Sequence, residues 1–123
     1  MSGLTPKKIG NMRYQIDVDS SKGMKVPVTI YADEKLLAKM MTDRTIQQAL
    51  NVSTLPGIQE HAIVLPDGHE GYGFPVGGVE ATDAEEGMIS PGGVGYDINC
   101  GVILLRTNLT EGDFSPQLKD LVN

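Results

Sequence analysis

HAIVLPDGHEGYGFPVGGV, residues 61–79, changes character halfway along. His61-Ala62-Ile63-Val64-Leu65 opens it as a short, mostly apolar run of the kind that forms a buried strand. Past Pro66 the chain turns glycine-rich, with Asp67, His69 and Glu70 set among the glycines. A second such stretch, ISPGGVGYDINCGVILLR at residues 89–106, begins with a glycine loop. It ends in an apolar run, residues 102–106, that reads as a buried strand leaving the loop. Ten of the 15 glycines lie between Gly68 and Gly101. Glycine reaches positive φ and lets backbones approach closely, at an entropic cost. That cost is tolerated where a loop meets a ligand, a metal or another backbone.

Upstream the pattern switches twice. Residues 13–18 alternate, with Tyr14, Ile16 and Val18 on one face and Arg13, Gln15 and Asp17 on the other, as a half-buried strand does. Asp19-Ser20-Ser21-Lys22-Gly23 reads as a turn, and residues 26–31 as the second strand of a hairpin. Residues 33–52 are helical in pattern. Asp33 is an N-cap, followed by Leu36, Leu37 and Met40 at helical spacing. Thr42 or Asp43 caps a second helix carrying Ile46, Ala49 and Leu50, which Leu55-Pro56-Gly57 stops. The Met40-Met41 pair reads as core filler. Near the C-terminus Ser115 and Pro116 are the N-cap and first residue of a last helix. The whole is α/β, with mixed strands, a few helices and the glycine loops at strand ends. The length of 123 residues suits one domain over 1–123.

Composition narrows the function classes. There is no tryptophan and only two phenylalanines, thin aromatic material for a self-sufficient core. Apolar runs stop at four residues, too short for a transmembrane helix, and the N-terminus lacks a signal peptide's apolar segment. A single cysteine excludes an internal disulfide and fits a reducing, cytoplasmic setting. The net charge is -6, and it is unevenly spread. Every lysine and arginine lies at or before Arg44 or at or after Arg106. Eight acidic residues stand between them: Glu60, Asp67, Glu70, Glu80, Asp83, Glu85, Glu86 and Asp97. Such a stretch repels phosphate unless a cation intervenes, the opposite of a direct nucleic-acid surface. Glu80 to Glu86 reads as a solvated face.

The chemistry-bearing residues converge on the glycine-rich half. Asp97 and Cys100, three apart in a glycine-flanked turn, suit either metal ligation, with the thiolate able to bridge two cations, or a buried cysteine beside a turn aspartate. Asp67 either orients a ligand and carries protons or caps an Asx turn. His69 is a metal or phosphate ligand, or a loop histidine held by a backbone carbonyl. His61 reads as structural, and Tyr72 and Phe74 as core cover or a base-stacking pair. Gly92-Gly93-Val94-Gly95 offers backbone amides to phosphate, with a metal as intermediary. No P-loop is present, and the glycines of residues 71–77 are interrupted by Pro75. Asp97, Cys100 and at most His69 cannot fill two coordination spheres.

LPDGHEGYGFPVGGV followed by SPGGVGYDINCGVILLRT resembles the signature of the RtcB family of RNA-splicing ligases. MTDRTIQQALNVSTLPGI upstream is similar to that family's preceding helix and turn. The resemblance implies an enzyme that joins an RNA 3′-phosphate or 2′,3′-cyclic phosphate end to a 5′-hydroxyl end, in tRNA splicing or RNA repair. It implies GTP and two Mn²⁺ ions as cofactors. It makes Asp97 and Cys100 manganese ligands, with Cys100 bridging, and puts Asp67 in the active site. The implied partners are RNA (tRNA halves or broken RNA), an archaease-like activator and the C-terminal part of the ligase. The family's remaining metal-binding histidines, and the histidine that carries GMP, have no counterpart in this chain. It therefore reads as the N-terminal portion of such a ligase, with a truncated, non-catalytic metal- or partner-binding paralogue as the alternative. Gly68 and Glu70 depart from the residues common in the family at those positions.

Overall fold

The computed structural model describes residues 5–95 and 101–122. Five strands form one sheet in the order β1-β2-β3-β4-β5. β1 (Lys7–Gly10) and β2 (Arg13–Ile16) are antiparallel, joined by a tight turn in which Met12 takes φ 52°. β1 is exposed along its whole length, so it carries no apolar alternation that the sequence could betray. β2 pairs antiparallel with β3 (Val28–Tyr31), setting Tyr14 opposite Ile30 and Ile16 opposite Val28. This is the hairpin expected from the alternation, shortened at both strands. β2 ends at Ile16 and Val18 is 44% exposed, so Val18 does not share the buried face. Asp19 organises the connection. Its Oδ1 accepts from the Ser21 amide at 3.0 Å, and Gly23 closes the turn at φ 75°.

Two helices separate β3 from β4. In α1 (Glu34–Met40) the Asp33 carboxylate accepts from the Leu36 amide at 2.7 Å, the expected N-cap. In α2 (Thr45–Val52) the N-cap is Arg44, without a side-chain cap bond, rather than Thr42 or Asp43; Asp43, one residue earlier, accepts from the Thr45 amide at 2.8 Å. The helices carry the chain across, so β4 (Ala62–His69) lies parallel to β3, with Val28 opposite Ala62 and Ile30 opposite Val64. Those four side chains are 0–1% exposed and form the core with Ile16, Met40, Ala49 and Val52. Each valine, isoleucine or methionine among them contributes about 1.5–3 kcal/mol by leaving water. Met40 is core filler as expected, at 2% exposed; Met41 is not, at 50%.

β4 runs on past Leu65, where the apolar run ends, because β5 (Val76–Val79) pairs with it antiparallel as far as His69 opposite Val76. A register shift between Val64 and His69 absorbs Pro66. The last third departs from expectation. Residues 101–110 hold no strand, and Val102, Ile103, Leu104 and Leu105 are 80–94% exposed. A buried strand needs a ladder partner and a covering layer, and the described residues supply neither. The final helical segment begins at Thr110 rather than Ser115. Thr110 and Asp113 satisfy each other as a capping box, starting α4 (Glu111–Phe114). A 3₁₀ turn over Ser115–Gln117 and α5 (Leu118–Leu121) follow. A further short helix is α3 (Pro91–Val94). No helix among the described residues is long and apolar enough to cross a membrane.

Candidate functional site

Asp67 stands exposed near the end of β4, not in a free loop. Its carboxylate lies against the backbone of Gly77 on β5. A Cβ at Gly77 would sit 2.6 Å from Asp67 Oδ1 and 3.0 Å from the Gly68 nitrogen, and Gly77 itself has φ 71°. Glycine there serves both conformation and space. Phe74, half-buried against the core, brings the two glycine-rich motifs together. A Cβ at Gly78 would be 2.5 Å from Phe74 Cε1, and one at Gly93 would be 3.3 Å from the opposite edge of the ring. Tyr72 does not cover the core: it is 85% exposed.

His69 Nδ1 lies 3.0 Å from the Asp67 carbonyl oxygen. A carbonyl only accepts, so Nδ1 donates and the acceptor nitrogen is Nε2. His69 is thus a histidine held by a backbone carbonyl, with one ring nitrogen still available. His61 bonds the hydroxyl of buried Thr29 at 3.0 Å, the structural role expected of it. The Gly92-to-Gly95 loop is not an open amide cradle. Ser90 caps it as α3, accepting from the Gly93 amide at its Oγ (3.2 Å) and from the Val94 amide at its carbonyl (3.3 Å). Asp83 accepts from the Glu85 and Glu86 amides at 2.9 Å each, leaving Glu85 and Glu86 as solvated acids. Glu80 is half-buried, with Oε2 unpartnered.

The residues that composition did not single out are Arg44 and Gln48. Arg44 donates to Glu70 Oε1 from Nε (2.9 Å) and Nη2 (2.7 Å), and its amide donates to Oε2 at 3.1 Å. Gln48, 4% exposed, donates to the Gly71 carbonyl at 2.6 Å and accepts from the Gly71 amide at 2.9 Å. Asp43 Oδ2 takes the Glu70 amide at a longer 3.4 Å. The Arg44 guanidinium holds the Glu70 carboxyl below its usual range, and the Thr45 hydroxyl does the same for Asp43. One sequence signal pointed here: Arg44 is the last cation before the acid-only stretch and so the nearest counter-ion along the chain for Glu70. Gln48 had no such signal beyond being polar on the inner face of a helix.

Asp97 and Cys100 lie outside the described residues. Among the described residues no three His, Cys, Asp or Glu side chains are grouped to hold a metal ion. A surface depression of about 350 Å³ is lined by the β1–β2 hairpin and the start of α1, including Lys8, Tyr14 and Glu34, and contains none of the candidate residues.

The family model described as tRNA-splicing ligase RtcB matches residues 48–123. The tRNA-splicing ligase RtcB of Pyrobaculum aerophilum is 58% identical over 123 residues, covering 100% of this chain and 25% of the relative. That of Thermococcus kodakarensis is 58% identical over 117 residues, 95% of this chain and 24% of the relative. That of Methanococcus maripaludis is 49% identical over 119 residues, 97% of this chain and 25% of the relative. The chain spans about a quarter of the length of these curated relatives. With the family model matching well over half of the chain and both glycine-rich motifs inside the match, the chain belongs to the tRNA-splicing ligase RtcB family.

Proposed function

We propose that this chain is the N-terminal quarter of an RNA ligase that joins a 3′-phosphate or 2′,3′-cyclic phosphate end to a 5′-hydroxyl end, using GTP and Mn²⁺. The observation that carries the proposal is the 58% identity to a tRNA-splicing ligase along the full 123 residues. The geometry is compatible with it. Asp67 is exposed at a strand end, walled by glycine backbone and able to hold or move a proton. The Phe74 ring lies against Gly93, in the motif whose sequence carries Asp97 and Cys100. In this proposal Asp97 and Cys100 hold manganese, whose charge would let phosphate approach an otherwise acid-only stretch. Asp97, Cys100 and at most His69 are too few to fill two coordination spheres, so in this proposal further ligands come from elsewhere in the complete ligase. RNA is the proposed substrate, an archaease-like protein the proposed activator, and the cytoplasm the proposed setting.

The test uses a complete ligase whose N-terminal quarter is this sequence. It is assayed for joining a 2′,3′-cyclic phosphate RNA to a 5′-hydroxyl RNA, with and without GTP and Mn²⁺. Joining that needs both, and that Asp67→Asn and Cys100→Ser each reduce at least about 100-fold, is the expected result. Joining that ignores Mn²⁺, or survives both substitutions, overturns the proposal.

A further inference from the structure

The end of β4 has a second support besides its pairing with β5. The chain leaves β4 at His69, passes through Glu70 and Gly71, and returns as β5 at Val76. At the start of that return, α2 and its N-cap Arg44 grip it twice. The Arg44 side chain and amide occupy both carboxylate oxygens of Glu70. The Gln48 amide pairs reciprocally with the Gly71 peptide, as one strand residue pairs with another, at 2.6 and 2.9 Å. Only glycine fits at this position: a Cβ on residue 71 would stand 2.4 Å from the Phe74 carbonyl oxygen. The gripped segment starts three residues after Asp67, and β5 brings Gly77 back against the Asp67 carboxylate.

We infer that Arg44 and Gln48 are positioning residues for Asp67, and that α2 clamps the β4–β5 turn so that the backbone bearing Asp67 is held at one place against Gly77. The inference rests on the ligase reading for what Asp67 does, but not for whether it is held. A clamp of this form is built for precision rather than for bulk stability. The Arg44 side chain is 72% exposed, where an ion pair adds little to folding, yet its fork fixes direction. A displacement of about 1 Å at a reacting group costs on the order of 100-fold in rate.

The first arm of the test uses the 123-residue chain and reads the Asp67 side-chain carboxyl carbon and the Gly71 amide by NMR. Arg44→Met is the primary variant, because its exposed site leaves the core intact; Gln48→Leu is the second, and Arg44→Lys the conservative rescue. The clamp predicts Gly71 amide exchange about tenfold faster in Arg44→Met, with partial recovery in Arg44→Lys. It also predicts a moved Asp67 carboxyl resonance with only a small fall in melting temperature, since an exposed ion pair adds little to folding. The second arm places Arg44→Met in the complete ligase. There kcat should fall about 10- to 100-fold while KM for RNA holds within about twofold. A faster Gly71 exchange with an unmoved Asp67 resonance, or an unchanged Gly71, overturns the inference. If the unsubstituted complete protein joins no RNA, the ligase proposal fails, and the NMR arm still decides the clamp.

Discussion

Gly57 and Gly77 share one backbone angle, φ 71°, and differ in what an added methyl would strike. At Gly57 it meets backbone, with Gly87 Cα at 2.4 Å and Gly87 N at 2.8 Å. At Gly77 it meets first a carboxylate oxygen of Asp67 at 2.6 Å, on an exposed side chain that can rotate. The conformational cost of alanine in the left-handed region, roughly 1–2 kcal/mol, is common to both. Gly57→Ala adds an overpacking cost of about 1–3 kcal/mol, because neither backbone can turn aside. Gly77→Ala adds chiefly the cost of an off-rotamer aspartate, about 0.5–1.5 kcal/mol, with a shift of a few tenths of an ångström at the Gly68 nitrogen, 3.0 Å away. Gly77→Ala is therefore expected to lose about 2–3 kcal/mol and Gly57→Ala about 1 kcal/mol more. Urea unfolding of the chain near pH 7, followed by circular dichroism, gives both values. The double variant Asp67→Ala, Gly77→Ala should recover about 1 kcal/mol relative to the sum of the singles, since the struck atom is gone. Equal losses for Gly57→Ala and Gly77→Ala, with no coupling to Asp67, would refute the placement of the Asp67 carboxylate against Gly77.

Three further outcomes follow from packing and charge. Met40→Ala should cost about 2–5 kcal/mol and Met41→Ala less than about 0.5 kcal/mol by the same assay, because one methionine is 2% exposed and the other 50%. Glu70 and Asp43 titrate below their usual range when folded, so each stabilises the fold at neutral pH and loses that contribution as pH falls through its folded pKa. Glu70→Gln should accordingly be less stable than the unsubstituted chain at pH 7, and the gap should close as pH falls through the lowered folded pKa of Glu70, as measured by thermal melts at descending pH. Val102→Asp with Leu104→Asp should reduce binding of an apolar dye while leaving stability within about 0.5 kcal/mol, because both side chains are at least 90% exposed.

Local rules were legible because their causes are local. The Asp33 cap, the Asp19 turn and the stop after α2 each depend on residues within a few positions of one another. The hairpin could be read because Tyr14 and Ile16 alternate with polar neighbours, which marks a strand with one wet face. β1 could not, since an edge strand exposed throughout has no buried face to leave a pattern. The apolar run at residues 102–106 shows the reverse error. Four consecutive apolar residues state what would gain from burial, and whether anything covers them is a property of other parts of the fold.

The candidate site divides in the same way. Its chemical character, a carboxylate, a histidine and a thiol among glycines in an acid-only stretch, was fixed by residue type and needed no coordinates. The two long motifs also carried the family likeness. Tertiary structure alone decided that β4 extends to His69, since only pairing with Val76 on β5 makes it a strand beyond Leu65. It alone set Phe74 between Gly78 and Gly93, and joined Arg44 to Glu70 across 26 residues and Gln48 to Gly71 across 23. The physical reason is that hydrogen bonds and ring contacts depend on distance in space. The parallel β3–β4 crossover brings those distances within reach only after the core of Val28, Ile30, Ala62 and Val64 has closed.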